Sequence, residues 1–210
     1  MTHIVLLGDS VFDNAAYVRG GPDVISQLSA TLPEGWRATL RAVDGSVVRD
    51  VRQQLRALPQ GATHLVISVG GNDALRHAGL LDQKASSMAE ALDRLASVGS
   101  EFQGQYREML REVLELRLPV AVSTIYYPRF ADPLTQRLAV TALAIFNDVI
   151  VREAFQAGLP LLDLRLICNR DEDYANSIEP SEKGGGKIAA AILRLVREYR
   201  TKSGRTEVFT

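Results

Sequence analysis

The sequence predicts an α/β protein with a parallel sheet covered by helices on both faces, and two observations lead to this fold class. Five short apolar runs alternate along the chain with stretches of helical periodicity, and such alternation is typical of parallel sheets with helical crossovers. The runs are rich in branched apolar residues, as expected of strands buried on both faces. We therefore expect a three-layer α/β/α sandwich around a flavodoxin-like, five-stranded parallel sheet.

The predicted elements follow one another in strand–helix order. The five strand-like runs occupy residues 3–8, 37–43, 63–69, 119–124 and 160–163. Apolar residues at helical spacing predict helices over 24–32, 47–58, 84–98 and 102–118, then from Pro133 onward and around Ile188. The connection over 164–181 has no clear periodicity, and long connections of this kind are often functional. Residues 1–200 are expected to form one domain, with 201–210 a polar tail that frays.

Composition excludes several classes of function. The net charge of −1 gives no electrostatic basis for binding nucleic acid. Cys168 is the only cysteine, so neither an internal disulfide nor a cysteine-based metal cluster can form. The longest apolar stretch, 138–150, is too short to span a bilayer, and no signal-peptide pattern is present. We expect a cytoplasmic enzyme without a metal or cofactor, in which the acidic triplet 171–173 is solvated loop charge.

Three short motifs follow three of the predicted strands. Gly8-Asp9-Ser10 comes after the first strand, Asp44-Gly45-Ser46 after the second and Gly70-Gly71-Asn72-Asp73 after the third. In open α/β sheets, ligands bind beyond the carboxyl ends of the strands. The three motifs are therefore expected to meet at one edge of the sheet.

Ser10 is the candidate nucleophile among these residues. Acyl transfer at a serine needs hydrogen-bond donors around the developing oxyanion, which backbone N–H groups or an Asn amide can supply. Glycine lets a backbone N–H approach a substrate closely because it has no side chain. The N–H groups of Ser10 and Gly45 and the Asn72 amide are therefore candidate donors. Alternatively, Gly45 and Asn72 are only turn residues at strand ends.

The chain resembles the SGNH hydrolases, also called the GDSL esterase/lipase family, over nearly its whole length. The resemblance lies in residues 8–14 (GDSVFDN), in Gly45 and in residues 70–73 (GGND), in this order. It implies an α/β/α sandwich in which Ser10 is the nucleophile. It also implies an oxyanion hole made by the N–H groups of Ser10 and Gly45 and by Asn72.

The fourth family block departs from the family pattern. Where members have an Asp and, three residues later, the catalytic His, this sequence has Asn176 and Glu179 (NSIE). His3 lies roughly 20 Å from Ser10 along the first strand, and His64 begins the third strand, so neither can replace the missing His. Two candidates for the general base remain, His77 and Glu179, the latter only if burial raises its pKa.

The leading functional hypothesis is a serine hydrolase that acts on a small-molecule carboxylic ester through an acyl-enzyme on Ser10. The alternative is a catalytically weak or inactive binding protein that kept the pocket for an acylated or carboxylate ligand. A phosphate-binding protein is a third, weaker interpretation, because no Walker-type or G-x-G-x-x-G motif follows a strand. The tyrosines 126 and 127 and Phe130, after the fourth strand, either line a pocket or cover the sheet end.

Overall fold

The computed structural model describes residues 1–199 and 206–210. Its strands are β1 (His3–Gly8), β2 (Arg37–Leu40), β3 (His64–Ser68), β4 (Val120–Ser123), β5 (Leu161–Leu162) and β6 (Val208–Phe209). Its helices are α1 (Val24–Thr31), α2 (Val51–Arg56), α3 (Gly71–Arg76), α4 (Met88–Glu115), α5 (Pro133–Gln156), α6 (Leu164–Ile167) and α7 (Glu182–Glu198). Three short 3₁₀ turns cover Val48–Asp50, Ala78–Asp82 and Asp171–Asp173.

All neighbouring strands pair in parallel, in the order β2-β1-β3-β4-β5-β6. Alternate side chains of β1 point to opposite faces, as strand geometry requires. Ile4 and Leu6 pack with α1 and α7, whereas Val5 and Leu7 pack with α2, α4 and α5. The two apolar cores confirm the three-layer α/β/α sandwich.

The number of strands in the prediction was wrong by one. The sixth strand, β6, comes from the segment expected to fray, where Phe209 is buried and Val208 pairs with Leu161 of β5. The polar composition of this segment obscured its two apolar residues. Of the predicted tail 201–210, residues 201–205 lie outside the described part of the chain.

Two other elements differ from the prediction. The helices expected over 84–98 and 102–118 form the single helix α4. The segment expected to be an aperiodic connection over 164–181 contains α6, a 3₁₀ turn and an antiparallel bridge between Tyr174 and Pro180. This bridge closes a compact loop around residues 175–179. No helix in the described residues is long and apolar enough to cross a membrane.

Candidate active site

The end of β1 places Ser10 at the carboxyl edge of the sheet. Gly8 has a φ of 122°, and a Cβ atom at this position would lie 1.7 Å from the carbonyl oxygen of Ser68 on β3. Only glycine fits here, since any side chain would collide with the neighbouring strand. The chain turns directly after Gly8, with the Asp9 N–H donating to the Ser68 carbonyl at 3.0 Å. Ser10 is thereby held at the strand end, with 7% of its surface exposed.

Gln54 of α2 fixes this strand end from the side. Its Oε1 accepts from the Gly8 N–H at 2.7 Å, and its Nε2 donates to the Gly8 carbonyl at 2.8 Å. Gln54 was not among the residues predicted from the sequence, because a lone Gln in a short helical pattern carries no signal of such a role. Gln54 therefore contributes to the rigidity of the backbone that holds Ser10.

Asn72 lies in the first turn of α3, beyond β3, and Gly45 lies in the loop after β2. Asn72 Nδ2 donates to the Ser46 carbonyl at 3.0 Å, which joins the start of α3 to the loop after β2 and leaves the second amide hydrogen available. Gly45 has a φ of 80° and open space where a side chain would be. Among the described residues, the N–H groups of Ser10 and Gly45 donate to no other protein group. Asn72 lines the same cavity as Ser10, but Gly45 does not.

Glu179 is carried by the loop that the Tyr174–Pro180 bridge closes. Asn176 Oδ1 accepts from the N–H groups of Ile178 and Glu179, each at 2.9 Å. The Tyr126 hydroxyl, beyond β4, donates to the Ile178 carbonyl at 2.6 Å. Asn176 therefore shapes the loop through its side-chain oxygen, and Tyr126 ties this loop to the sheet.

The Glu179 carboxyl group lies next to the Ser10 hydroxyl in a buried setting. Burial raises the pKa of Glu179 to about 7, Ser10 opposes this rise as a hydrogen-bonding neighbour, and the charge of Asp44 adds to it. Within residues 1–199 and 206–210, the buried Glu179 Oε2 has no partner at hydrogen-bond geometry. A buried carboxyl with a spare oxygen and a pKa near neutrality can take a proton from a neighbouring hydroxyl.

Asp9 is a second buried carboxyl at this site. Burial raises its pKa to about 8, against the opposing effect of the Val11 N–H, and the charges of Glu179, Asp73 and Asp44 raise it further. Its Oδ1 accepts from the Val11 N–H at 3.1 Å, which stabilises the turn around Ser10. Asp9, with a pKa of about 8, therefore becomes charged at a higher pH than Glu179, whose pKa is about 7.

Of the three histidines, only His77 lies near Ser10. It is the residue that ends α3, and it lines the same cavity as Ser10 and Glu179. No hydrogen bond joins its ring to Ser10 within the described chain. His3 and His64 lie at the opposite end of their strands, where they contact Thr39 and Thr63.

The cavity at Ser10 has a volume of about 210 Å³. It is bounded by the loops after β1, β3 and β4 and by α3, α4 and α5. Of the aromatic residues singled out in the sequence, Tyr126 and Phe130 line it, whereas Tyr127 does not. Phe12 is fully buried in the core on the α1 and α7 side of the sheet.

The acidic triplet of the 164–181 segment is engaged in ion pairs with basic side chains. Asp171 pairs with Arg129, Glu172 with Lys183, and the fully buried Asp173 with Lys187. In the part of the chain that the structure describes, no group of three or more His, Cys, Asp or Glu side chains is arranged to hold a metal ion.

The protein is an α/β sandwich in which a serine at the end of the first strand lies beside a buried carboxyl group. This arrangement is suited to nucleophilic attack by the serine hydroxyl. The chain belongs to the GDSL-like lipase/acylhydrolase family, whose sequence model matches residues 6–185. The resemblance carried by the three strand-end motifs is thereby confirmed. Membership places the chain among proteins that hydrolyse ester bonds.

Solved structures of similar fold extend over nearly the whole chain. An extracellular lipase from Streptomyces rimosus has 21% identity and a TM-score of 0.64, covering 95% of this chain and 100% of its own. A lipase/acylhydrolase from Enterococcus faecalis has 20% identity and a TM-score of 0.64, covering 94% and 96%. The acetyl xylan esterase AlAXEase has 16% identity and a TM-score of 0.70, covering 92% and 99%. No curated protein matches the sequence.

Proposed function

We propose that this protein is a serine esterase in which Ser10 attacks a carboxylic ester and Glu179 replaces histidine as the general base. The observation that carries the proposal is the buried Glu179 carboxyl beside the Ser10 hydroxyl, with its pKa raised to about 7. A general base is most effective when its pKa lies near the working pH. An ordinary exposed glutamate, with a pKa near 4.3, would be too weak.

In the first half of the reaction, the Glu179 carboxylate accepts the Ser10 proton while Ser10 Oγ attacks the ester carbonyl carbon. The oxyanion accepts hydrogen bonds from the N–H groups of Ser10 and Gly45 and from the remaining amide hydrogen of Asn72. The protonated Glu179 then donates to the leaving alkoxide, which departs as the alcohol and leaves an acyl group on Ser10.

In the second half, Glu179 accepts a proton from water, and the resulting hydroxide attacks the acyl-enzyme. Collapse of the second tetrahedral intermediate returns the proton from Glu179 to Ser10 Oγ and releases the carboxylic acid. Because the base is a carboxyl, it becomes neutral when protonated and has no need of the acidic partner that steadies an imidazolium. The presence of an amide at Asn176 is consistent with this mechanism.

Labelling by a fluorophosphonate, combined with turnover of p-nitrophenyl esters, tests the proposal. We expect the wild-type protein to be labelled and to hydrolyse the esters, and Ser10→Ala to lose labelling and at least 10³-fold in kcat. Thr124→Ser, a change away from the cavity wall, is the control for handling and folding. Ligand retention without labelling or turnover would instead identify the binding protein considered above.

A further inference from the structure

The three segments that carry the oxyanion donors are joined by hydrogen bonds that start from the buried side chain of Gln54. Ser10 follows β1, Gly45 follows β2 and Asn72 lies in the first turn of α3, so the three donors come from separate parts of the chain. An oxyanion is stabilised fully only when each donor lies about 2.7–3.1 Å from it. The relative placement of the three segments therefore decides how well the donors act together.

Gln54 takes the place of a strand residue beside Gly8. Strand β2 pairs with β1 only as far as Leu6. Two residues further along β1, Gln54 Oε1 accepts from the Gly8 N–H at 2.7 Å and Gln54 Nε2 donates to the Gly8 carbonyl at 2.8 Å. The Val43 N–H, in the loop after β2, donates to the same carbonyl at 3.0 Å. The strand end that precedes Ser10 is therefore held by a side chain of α2 and by the loop after β2.

The Gln54 amide also reaches the loop that contains Gly45. Gln54 Nε2 donates to Ser46 Oγ at 3.3 Å, which uses the second amide hydrogen. The Ser46 N–H donates to the Val43 carbonyl at 3.1 Å and closes the turn in which Gly45 lies. Gln54 is therefore bonded to the residue two positions before the nucleophile and to the residue directly after the second donor.

Ser46 connects this loop to α3. Its carbonyl accepts from Asn72 Nδ2 at 3.0 Å, and the Val48 N–H donates to Asp73 Oδ2 at 3.1 Å. Asn72 and Asp73 are neighbours in the first turn of α3, so both bonds hold the loop after β2 against this helix. Hydrogen bonds therefore run from Gln54 through Ser46 to Asn72.

Burial makes these hydrogen bonds costly to lose. Gln54 and Ser46 are both buried, so little water reaches them to replace a lost partner. The Gln54 amide uses both of its hydrogens and its oxygen. An apolar side chain of similar length would leave the Gly8 N–H without this partner, and the two loops would lose their common point of attachment.

We propose that Gln54 and Ser46 are positioning residues, which hold the three donors at the spacing that one oxyanion requires. This inference rests on the proposed esterase function and extends it to two residues that do not line the cavity. Their effect falls on the transition state, because negative charge develops on the ester oxygen only there. We therefore expect their loss to lower kcat and to leave KM almost unchanged.

Gln54→Met tests this role with a side chain of similar length that donates no hydrogen bond. We expect kcat for a p-nitrophenyl ester to fall at least about tenfold, with KM within about twofold of wild type, because removal of one oxyanion donor costs about 10²–10³ in kcat and displacement costs part of this. The pH profile of kcat/KM should keep its midpoint near pH 7, because Glu179 is unchanged. Gln53→Met is the matched control, since Gln53 is exposed at the preceding position of α2.

Ser46→Ala is a second variant that decides the question if Gln54→Met does not fold. It removes only the hydroxyl that accepts from Gln54, and we expect kcat to fall about three- to tenfold with KM unchanged. In an Asn72→Ala background this loss should be smaller, because one of the donors that Ser46 holds is absent. Ser123→Ala is the control, since Ser123 is buried and its Oγ has no partner in the described part of the chain.

The outcomes separate the positioning role from the esterase function. If the wild-type protein is labelled by the fluorophosphonate and both variants keep kcat within about twofold of it, the positioning role is overturned and the esterase function stands. Activity of Ser46→Ala that falls only in proportion to unfolded protein, measured by circular dichroism, would also overturn the positioning role. Absence of labelling and turnover in the wild-type protein would overturn both.

Discussion

At the scale of single residues, the mechanism we propose gives Glu179 the task that an imidazole has in a typical serine hydrolase, by a different physical route. An imidazole has a pKa near neutrality in water, whereas a carboxyl reaches this range only when burial destabilises its charged form. Glu179 is 7% exposed and its Oε2 has no hydrogen-bond partner among the described residues. Burial of the Glu179 carboxylate destabilises the folded protein at neutral pH. The same burial raises the pKa of the carboxyl and makes it a stronger base.

Replacement of the two candidate bases separates their roles. We expect Glu179→Gln to lower kcat by at least 10²-fold, because the amide cannot accept the Ser10 proton. His77→Ala should keep activity within a few-fold, because no hydrogen bond links the His77 ring to Ser10 in the described chain. Steady-state kinetics with a p-nitrophenyl ester measures both variants. The opposite pattern would assign the base to His77.

The pH profile of the wild-type protein belongs to the same prediction. Because Glu179 must be ionised to act as a base, kcat/KM should be low at pH 5 and rise with a midpoint near pH 7, the value to which burial raises its pKa. Titration of Asp9, with its pKa of about 8, adds negative charge beside Glu179 and broadens this limb. A rate already at its plateau at pH 5 would contradict the assignment.

The sequence predicted the positions of the site residues better than their chemistry. Ser10 and Asn72 were expected to lie together because each follows a buried strand in a glycine-rich segment, and both line one cavity at the edge of the parallel sheet. The pKa of Glu179 was not predictable in the same way. It depends on burial by a loop that Tyr126, more than fifty residues away along the chain, holds against the sheet.

At the scale of secondary structure elements, α4 joins two helices that were predicted separately, over 84–98 and 102–118. Gly99 lies between the two predicted stretches, and a Cβ atom at this position would lie 2.6 Å from Ile145 Cγ2 of α5. Gly99 therefore allows the close packing of α4 against α5 within one continuous helix. Local sequence cannot distinguish a glycine that ends a helix from one that allows close packing, because the second depends on a contact between distant residues.

Gly184 has a comparable role where α7 packs beneath the loop that carries Glu179. A Cβ atom at Gly184 would lie 2.1 Å from the Asp173 carbonyl oxygen, which also accepts from the Ser181 N–H at 2.9 Å. We expect Gly184→Ala to lower the free energy of unfolding by about 2–3 kcal/mol, because backbone atoms must move apart. Urea denaturation monitored by circular dichroism measures this change.

Gly104→Ala is the matched control for this prediction. Gly104 is exposed in the middle of α4, and a Cβ atom there would meet nothing within 4 Å. Alanine should therefore stabilise the protein by about 0.5–1 kcal/mol through its higher helix propensity. If both alanine variants shifted stability in the same direction and by the same amount, the close contact at Gly184 would have no energetic importance.

At the scale of the whole molecule, the sheet brings together residues that are far apart in sequence, and its last strand protects its edge. Without β6, the edge of β5 would present unpaired N–H and C=O groups. Instead, the Leu161 N–H donates to the Glu207 carbonyl and the Asp163 N–H to the Phe209 carbonyl, each at 2.9 Å. The C-terminal segment therefore completes the sheet, although its two apolar residues are too few to form a recognisable sequence pattern.

Substitutions at two neighbouring residues of β6 separate the contribution of side-chain burial to stability from that of strand pairing. Phe209 is 6% exposed and belongs to the core beside α7, whereas Val208 is 47% exposed. Phe209→Ala should lower the free energy of unfolding by about 3 kcal/mol, and Val208→Ala by less than about 1 kcal/mol. Urea denaturation monitored by fluorescence of Trp36, the only tryptophan, reports on this same core.

Equal, small effects of the two variants would mean that β6 detaches before the rest of the protein unfolds. A large effect of Phe209→Ala alone, with esterase activity retained at low temperature, would show that β6 stabilises the sheet without shaping the site. We expect this second result, because β6 lies at the edge of the sheet while Ser10 follows β1, and three strands (β3, β4 and β5) separate β1 from β6. The stability of the sheet would then depend on β6, whereas the activity at Ser10 would not.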